Sequence, residues 1–237
     1  MTERFRKTAC IAGAGEFTDR GIHEPFDLII AADGGLAALQ EAGIQPDLII
    51  GDFDSLGYIP ECDSCQEVMY KTDPGAGRCL PEDVSRTEVC RLPVEKDDTD
   101  MAAACLAAWE RGCRRIRIYG GSGDRPDHFL ANLQLAAAYS RQGGDISLVT
   151  PAYTVYALTD GSFRLQAGPG ITFSVFSHTD QSEGVTIEGD VKYAIREAQL
   201  CNTRALGVSN LMTGEEARIT VKHGTLLIFV YQTILKD

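Results

Sequence analysis

The stretch Leu48-Ile49-Ile50-Gly51-Asp52-Phe53-Asp54-Ser55 decides how this chain is read. The apolar run Leu48-Ile49-Ile50 has the character of a strand buried on both faces. A glycine then turns the chain, and two carboxylates follow at alternate positions. If the extended geometry persists through Phe53, Asp52 and Asp54 point the same way. Like charges held side by side repel. A divalent cation resolves the conflict, because hard cations take carboxylate oxygens. The stretch therefore reads as a magnesium seat at the carboxyl end of a strand, where open α/β sheets place their ligands. The plain alternative is a polar strand-to-loop turn in which Asp52 or Asp54 caps a helix.

Upstream, Phe26 to Ala32 predicts a strand ending on Asp33-Gly34-Gly35, and Leu36 to Ala42 a short helix. Gly43 suits the position after the helix, with Pro46 beyond it. Strand, helix and strand in this order imply parallel pairing and a right-handed crossover. Asp33, Asp52 and Asp54 then fall on one rim of the sheet. An earlier strand, Thr8 to Ala12, ends in Gly13-Ala14-Gly15, which is either a shortened phosphate turn or simply a tight turn.

Downstream, Lys96-Asp97-Asp98-Thr99-Asp100 precedes an alanine-rich helix, Met101 to Arg111, that closes at Gly112. A helix amino terminus favours negative charge, but one cap needs one acid and this segment has three. Asp97 and Asp100, three apart, would be neighbours on one helical face. Arg114 to Tyr119 predicts a strand with Ile116 and Ile118 inward. Gly120-Gly121-Ser122-Gly123-Asp124-Arg125-Pro126-Asp127-His128 then opens a helix to about Gln142. Glycines let backbone approach a phosphate, Pro126 suits a first helical turn, and Arg125 can grip phosphate oxygens with two N–H groups. No Gly-Lys-Ser/Thr follows, so this is not a P-loop. His128 could equally pack against the helix or cap it.

The segment Leu56 to Arg91 is rich in proline, glycine and charge. Cys62 and Cys65 have CxxC spacing, but Cys79 and Cys90 form no second pair, so loop thiols are expected rather than zinc. Asp145 to Thr150 closes the first half as a strand. From Tyr153 the pattern becomes short alternating runs broken by glycines, which is antiparallel β structure, a sandwich or a barrel. Ala217 to Tyr231 reads as a hairpin turning at His223-Gly224. The boundary is placed near Pro151, giving domains 1–150 and 151–237.

The chain has 237 residues, 44% hydrophobic and 24% charged, with a net charge of -12. That balance argues for a globular protein and against a nucleic-acid partner. No leader-like run or membrane span is read, which predicts a cytoplasmic protein whose 8 cysteines are thiols.

Taken together, Ala32-Asp33-Gly34-Gly35, the run Pro46 to Ser55, Asp97-Asp98-Thr99-Asp100, Gly123 to His128 and Leu206-Gly207-Val208-Ser209-Asn210 resemble thiamine pyrophosphokinases of the bacterial type. The likeness runs in order along nearly the whole chain, Leu56 to Arg91 excepted. It implies an α/β fold: an amino-terminal Rossmann-like parallel sheet with helices, binding ATP and magnesium, then a smaller all-β antiparallel sandwich binding thiamine. It implies a homodimer that moves the pyrophosphoryl group of ATP to the hydroxyethyl oxygen of thiamine, releasing AMP. By the same resemblance Asp52, Asp54 and Asp100 are the metal ligands. Asp33, Lys96, Asp97, Thr99, Gly121, Gly123 and Arg125 attend the nucleotide, its phosphates and the metal waters. Arg125 and Asp127 lie by the transferred group. Tyr193, Ser209, Asn210, Asp127 and His128 attend thiamine. Tyr193 stands where some relatives carry a tryptophan. Asp124 and Pro126 replace a glycine and a bulkier apolar residue of many relatives. The attacking alcohol must lose a proton to Asp127 or Asp100. An acid already on a metal is a poor base, which favours Asp127. The rival readings are a pyrophosphokinase for another heterocyclic alcohol, of pterin type, and a non-catalytic thiamine sensor.

Overall fold

The structure, a computed structural model, describes residues 6–53, 87–95 and 97–232. Five short strands build the centre of the amino-terminal part: β1 (Lys7–Ala12), β2 (Leu28–Ala32), β3 (Leu48–Gly51), β4 (Glu88–Arg91) and β5 (Cys113–Tyr119). They pair in parallel in the order β5-β1-β2-β3-β4. Ile11, Ile30, Ile50 and Ile118 are fully buried, as strands covered on both faces require.

Two helices cover this sheet. The helix α1 (Gly35–Glu41) buries Leu36 and Leu39 against β1 and β2. The helix α2 (Asp100–Glu110) lies on β1, β2, β3 and β5 through Met101, Ala104, Cys105, Ala107 and Ala108. Its small side chains let helix and sheet approach closely. Gly43, with φ of 70°, follows α1 as expected, because only a residue without Cβ adopts that conformation freely. The register Ala32↔Ile50 gives the predicted parallel strand–helix–strand unit.

Strand β4 was hidden inside the segment read only as loop. It has four residues with charge at both ends, and only Val89 and Cys90 are buried. So short an edge strand carries too few apolar positions to show a period. Burial pushes the Cys10 and Cys105 thiols up to about 12, and Cys90 to about 11. These thiols pack as small apolar groups and are not nucleophiles. Cys62, Cys65 and Cys79 lie outside the described residues.

Contacts divide the chain into Met1–Asp124 and Arg125–Asp237. The division precedes the change of sequence pattern near Pro151. The helix α3 (Pro126–Arg141) and the strand β6 (Asp145–Val149) belong with the carboxy-terminal strands, for a simple reason. Strand β6 turns straight back into β7 (Tyr153–Thr159) as an antiparallel pair, Leu148↔Val155, and α3 packs on both and on β13 (Thr225–Tyr231).

The carboxy-terminal unit is antiparallel in all its described pairings. Its remaining strands are β8 (Ser162–Gln166), β9 (Thr172–Ser177), β10 (Gln181–Val191), β11 (Ile195–Cys201) and β12 (Gly207–Thr220). Strand β12 serves two ladders. Its first part pairs β9 through Asn210↔Phe173, and its second part pairs β10 through Ile219↔Ile187 and β8 through Ile219↔Phe163. Phe173, Val175, Val185, Ile187, Ile219 and Ile228, drawn from both ladders, belong to one apolar core. The hairpin expected at His223-Gly224 is not formed. β9 lies between β12 and β13, pairing Val175 with both Gly207 and Ile228. Adjacent alternating runs suggest a hairpin, but a longer-range partner took the position between them.

Ile11→Ala is expected to destabilise the protein by about 3 kcal/mol through the lost side chain and the cavity it leaves. A lower urea midpoint would register this, and an unchanged midpoint would mean that the β1 core is loosely packed.

Candidate active site

Parallel pairing puts the carboxyl ends of β1, β2, β3 and β5 on one edge of the sheet, and Asp33 and Asp52 stand there. Asp33 follows β2 directly. Its N–H donates to the Ile50 carbonyl at 2.8 Å, and its φ is 47°. A Cβ on Gly51 would stand 3.1 Å from Asp33 Cα, so a side chain there would press on the Asp33 backbone. Asp33 is 8% exposed, and its Oδ1 has no hydrogen-bond partner among the described residues. A buried carboxylate oxygen in that condition is costly unless a cation or donor reaches it, which suits a metal or its waters.

Asp52 follows on β3 and is half-buried. The extended geometry expected to carry its direction to Asp54 does not persist. Phe53 has φ of 64° and a side chain only 3% exposed, so the backbone turns left-handed to bury the ring. Asp54 and Lys96 lie outside the described residues. Among the described residues no group of three His, Cys, Asp or Glu side chains could hold a metal.

Thr99 caps α2, its hydroxyl accepting from the Ala102 N–H at 3.1 Å. Asp100 is in the first turn and half-buried. Asp97 is not on a helical face with it, because the helix starts at Asp100. Asp97 is exposed in the approach to the cap. The start of α2 sits by the end of β1, where a Cβ on Gly13 would meet the Met101 methyl at 2.7 Å.

Beyond the strand ends, the β1 and β5 loops run side by side. Gly13 N–H donates to Tyr119 O at 2.8 Å, Gly15 N–H to Gly120 O at 3.0 Å, and Glu16 N–H to Ser122 O at 2.6 Å. A Cβ on Gly15 would come within 2.7 Å of the Gly120 carbonyl, so two glycine-bearing loops lie in backbone contact. The open choice at Gly13-Ala14-Gly15 is thereby narrowed: the turn is a partner for the second loop. Gly121 and Ser122 are buried in it, and Gly123 is exposed. Ser122 was not singled out from sequence. Its Oγ is buried with no hydrogen-bond partner among the described residues. A serine inside a glycine-rich loop was the available signal.

In the carboxy-terminal unit, Arg125 and Asp127 form a two-toothed ion pair, Nε to Oδ1 at 3.0 Å and Nη2 to Oδ2 at 2.6 Å. Pro126 occupies the first turn of α3, as predicted, and His128 is exposed. The hydrogen bond from Arg125 holds the Asp127 carboxyl down to about 2. Both side chains are largely solvated, so the pair contributes little to stability. It does make Asp127 a weak base while it lasts.

Three of the five residues expected at thiamine, Tyr193, Ser209 and Asn210, share one neighbourhood. Tyr193, 54% exposed, lies in the connection between β10 and β11. Asn210, 3% exposed, hydrogen-bonds the Tyr193 backbone. Ser209 is exposed with φ of 57°, and its N–H donates to Ser174 Oγ at 3.1 Å.

Residues 21–148 match the family model described as "Thiamin pyrophosphokinase, catalytic domain". The thiamine pyrophosphokinase of Bacillus subtilis is 25% identical over 211 residues, which are 88% of this chain and 89% of that one. The crystal structure of the Bacillus subtilis thiamine pyrophosphokinase superposes with a TM-score of 0.76 at 22% identity, covering 96% of this chain and 100% of that one. The thiamin pyrophosphokinase from Candida albicans gives 0.70 at 14% identity, covering 95% of this chain and 89% of that one. Parallel strands covered by helices, carboxylates at the strand ends and an antiparallel β unit define an α/β protein of this fold. The chain belongs to the thiamin pyrophosphokinase family.

The Asp127 carboxyl, depressed by Arg125, stays ionised in the folded protein as pH falls, until about pH 2. The pair is thus formed at neutral pH and lost only on strong acidification. Arg125→Ala should return the Asp127 titration, followed by carboxyl NMR, to the ordinary carboxylate range near pH 4. An unmoved titration would dissolve the assignment of cause. Thr99→Ala should lower stability by about 1 kcal/mol, read from thermal unfolding, because it removes the α2 cap.

Proposed function

We propose that this chain is a thiamine pyrophosphokinase, transferring the pyrophosphoryl group of ATP to the hydroxyethyl oxygen of thiamine to give thiamine diphosphate and AMP. The observation that carries the reading is the carboxylate rim: Asp33, Asp52 and Asp100 at strand and helix ends, beside paired glycine loops. We assign ATP to the amino-terminal Rossmann-like unit and thiamine to the carboxy-terminal unit, as a β-sandwich. Homodimeric assembly and a cytoplasmic setting belong to the same proposal. No described helix is long and apolar enough to cross a membrane.

Magnesium fits the donor set, since every acid concerned offers hard oxygen and the Asp33 Oδ1 lacks a donor among the described residues. Asp52, Asp54 and Asp100 would hold it, with Asp33 and Asp97 supporting its waters. When bound it neutralises charge on the phosphates. The chain's own groups do the rest. Backbone N–H groups at Gly121 and Gly123 meet phosphate oxygens. Lys96 adds a point charge, and Thr99 positions the start of α2. Arg125 offers its fork to the transferring phosphate, which competes with Asp127 for the same N–H groups. Release of Arg125 raises the basicity of Asp127. Asp127 then accepts the proton of the thiamine hydroxyl as the oxygen attacks the β-phosphorus and AMP leaves. His128 sits next to it on the thiamine side, and Tyr193, Ser209 and Asn210 serve the ring system.

Incubation with ATP, magnesium and thiamine should yield thiamine diphosphate and AMP by mass spectrometry. Turnover of a hydroxymethylpterin instead would assign the pterin reading, and binding of thiamine without AMP release would assign a sensor. Asp54→Asn should cut turnover at least about a hundredfold with the fold intact, given what charge-stabilising groups contribute. Arg125→Lys should also lose most activity, because a point charge replaces a fork. Full activity in either variant would remove that residue from its role.

A further inference from the structure

The Asn210 amide is bonded on three sides. Its Oδ1 accepts from the Tyr193 N–H at 3.0 Å and the Leu211 N–H at 2.9 Å, and its Nδ2 donates to the Tyr193 carbonyl at 2.7 Å. One side chain therefore takes both backbone groups of Tyr193, as a neighbouring strand would. Tyr193 needs this because it stands in the connection between β10 and β11, just past the last ladder pair, Val191↔Met212. The adjoining Lys192 N–H donates to Leu211 O at 2.9 Å, so the clamp continues the β10–β12 pairing by one step.

The placement of Asn210 is itself prepared. The β9–β12 register shifts between Gly207 and Asn210, and Ser209 within that shift has φ of 57°. Such an irregularity re-aims a side chain, and here Asn210 is buried while Val208 and Ser209 remain exposed. Packing alone would be served by an apolar residue. A buried amide is retained where its donor and acceptor are both engaged. What the clamp holds is an aromatic residue 54% exposed, with the Lys192 ammonium 5.2 Å from the ring centroid. That ring already presents a face that attracts positive charge.

We propose that Asn210 is a positioning residue for the cationic heteroaromatic substrate, acting through Tyr193 and not by touching the substrate. The proposal rests on the pyrophosphokinase reading above. Asn210 fixes the backbone from which the Tyr193 ring projects, and the ring supplies the stacking surface. A ring left on a loose connection would lose orientation and affinity without changing the chemistry of phosphoryl transfer.

The test is a double-mutant cycle on purified full-length protein with Asn210→Ala, Tyr193→Ala and the double variant. Either single change should raise KM for thiamine about tenfold, the scale of one lost cation–π face, while KM for ATP and kcat hold within about twofold. The double variant should be no worse than Tyr193→Ala alone, because residues acting through one contact are not additive. Multiplying effects would mean that Asn210 meets the substrate itself, and a parallel rise in KM for ATP would mean a general structural role. Both results overturn the proposal. If Asn210→Ala does not fold, Asn210→Asp carries the same cycle, since it keeps both acceptor bonds and sets an oxygen against Tyr193 O in place of the donor. If neither folds, Asn210 serves the fold alone and the proposal fails. Absence of thiamine turnover in the unaltered protein is a separate result, which sinks the activity reading before any variant is made.

Discussion

The Asp33 N–H donates to the Ile50 carbonyl one step beyond the last β2–β3 pair, and much of the rim depends on that bond. It carries the parallel ladder past the strand end while Asp33 adopts a left-handed backbone that most residues avoid. Gly51 opposite makes room for it. The result is a buried carboxylate whose place is set by the backbone and whose Oδ1 has no hydrogen-bond partner among the described residues. Parallel pairing extends the same logic to the whole edge. Every strand ends on one side, so acids distant in sequence come to adjoining places without any helix or loop having to carry them across the sheet.

The two loops beyond β1 and β5 follow a related constraint. Their backbones touch, and carbonyls occupy the places where side chains at Gly13, Gly15 and Gly120 would stand. Glycine here records close approach between chain segments. At the start of the second unit the control is electrostatic. Arg125 and Asp127 satisfy each other, so each group's reactivity is set by whether its partner is drawn elsewhere.

Much of this was legible because the amino-terminal unit speaks in short apolar runs closed by glycine and aspartate. β1, β2, β3, β5, α1 and α2 emerge from period and punctuation alone. β4 was not legible, since four residues on an edge carry no period. The extended geometry expected through Phe53 was not met, because burial of the Phe53 ring overrode strand alternation there. Asp97 fell outside the helix because Thr99 is the better cap, its hydroxyl reaching the Ala102 N–H where an acid two residues earlier does not. In the carboxy-terminal unit, alternation announced antiparallel strands but not their neighbours. The insertion of β9 between β12 and β13 is a long-range pairing that no local pattern encodes. The Asn210 clamp was invisible for the same reason, since Tyr193 is seventeen positions away.

Strand β12 belongs to both ladders of the carboxy-terminal unit. Neither ladder can be removed, exchanged or grafted without cutting a strand that the other also owns. The natural unit of inheritance is therefore the whole β region. A chimera joined within Gly207–Thr220 would put the β9 pairing on one side of the junction and the β8 pairing on the other, whereas a junction before α3 would trade the region intact.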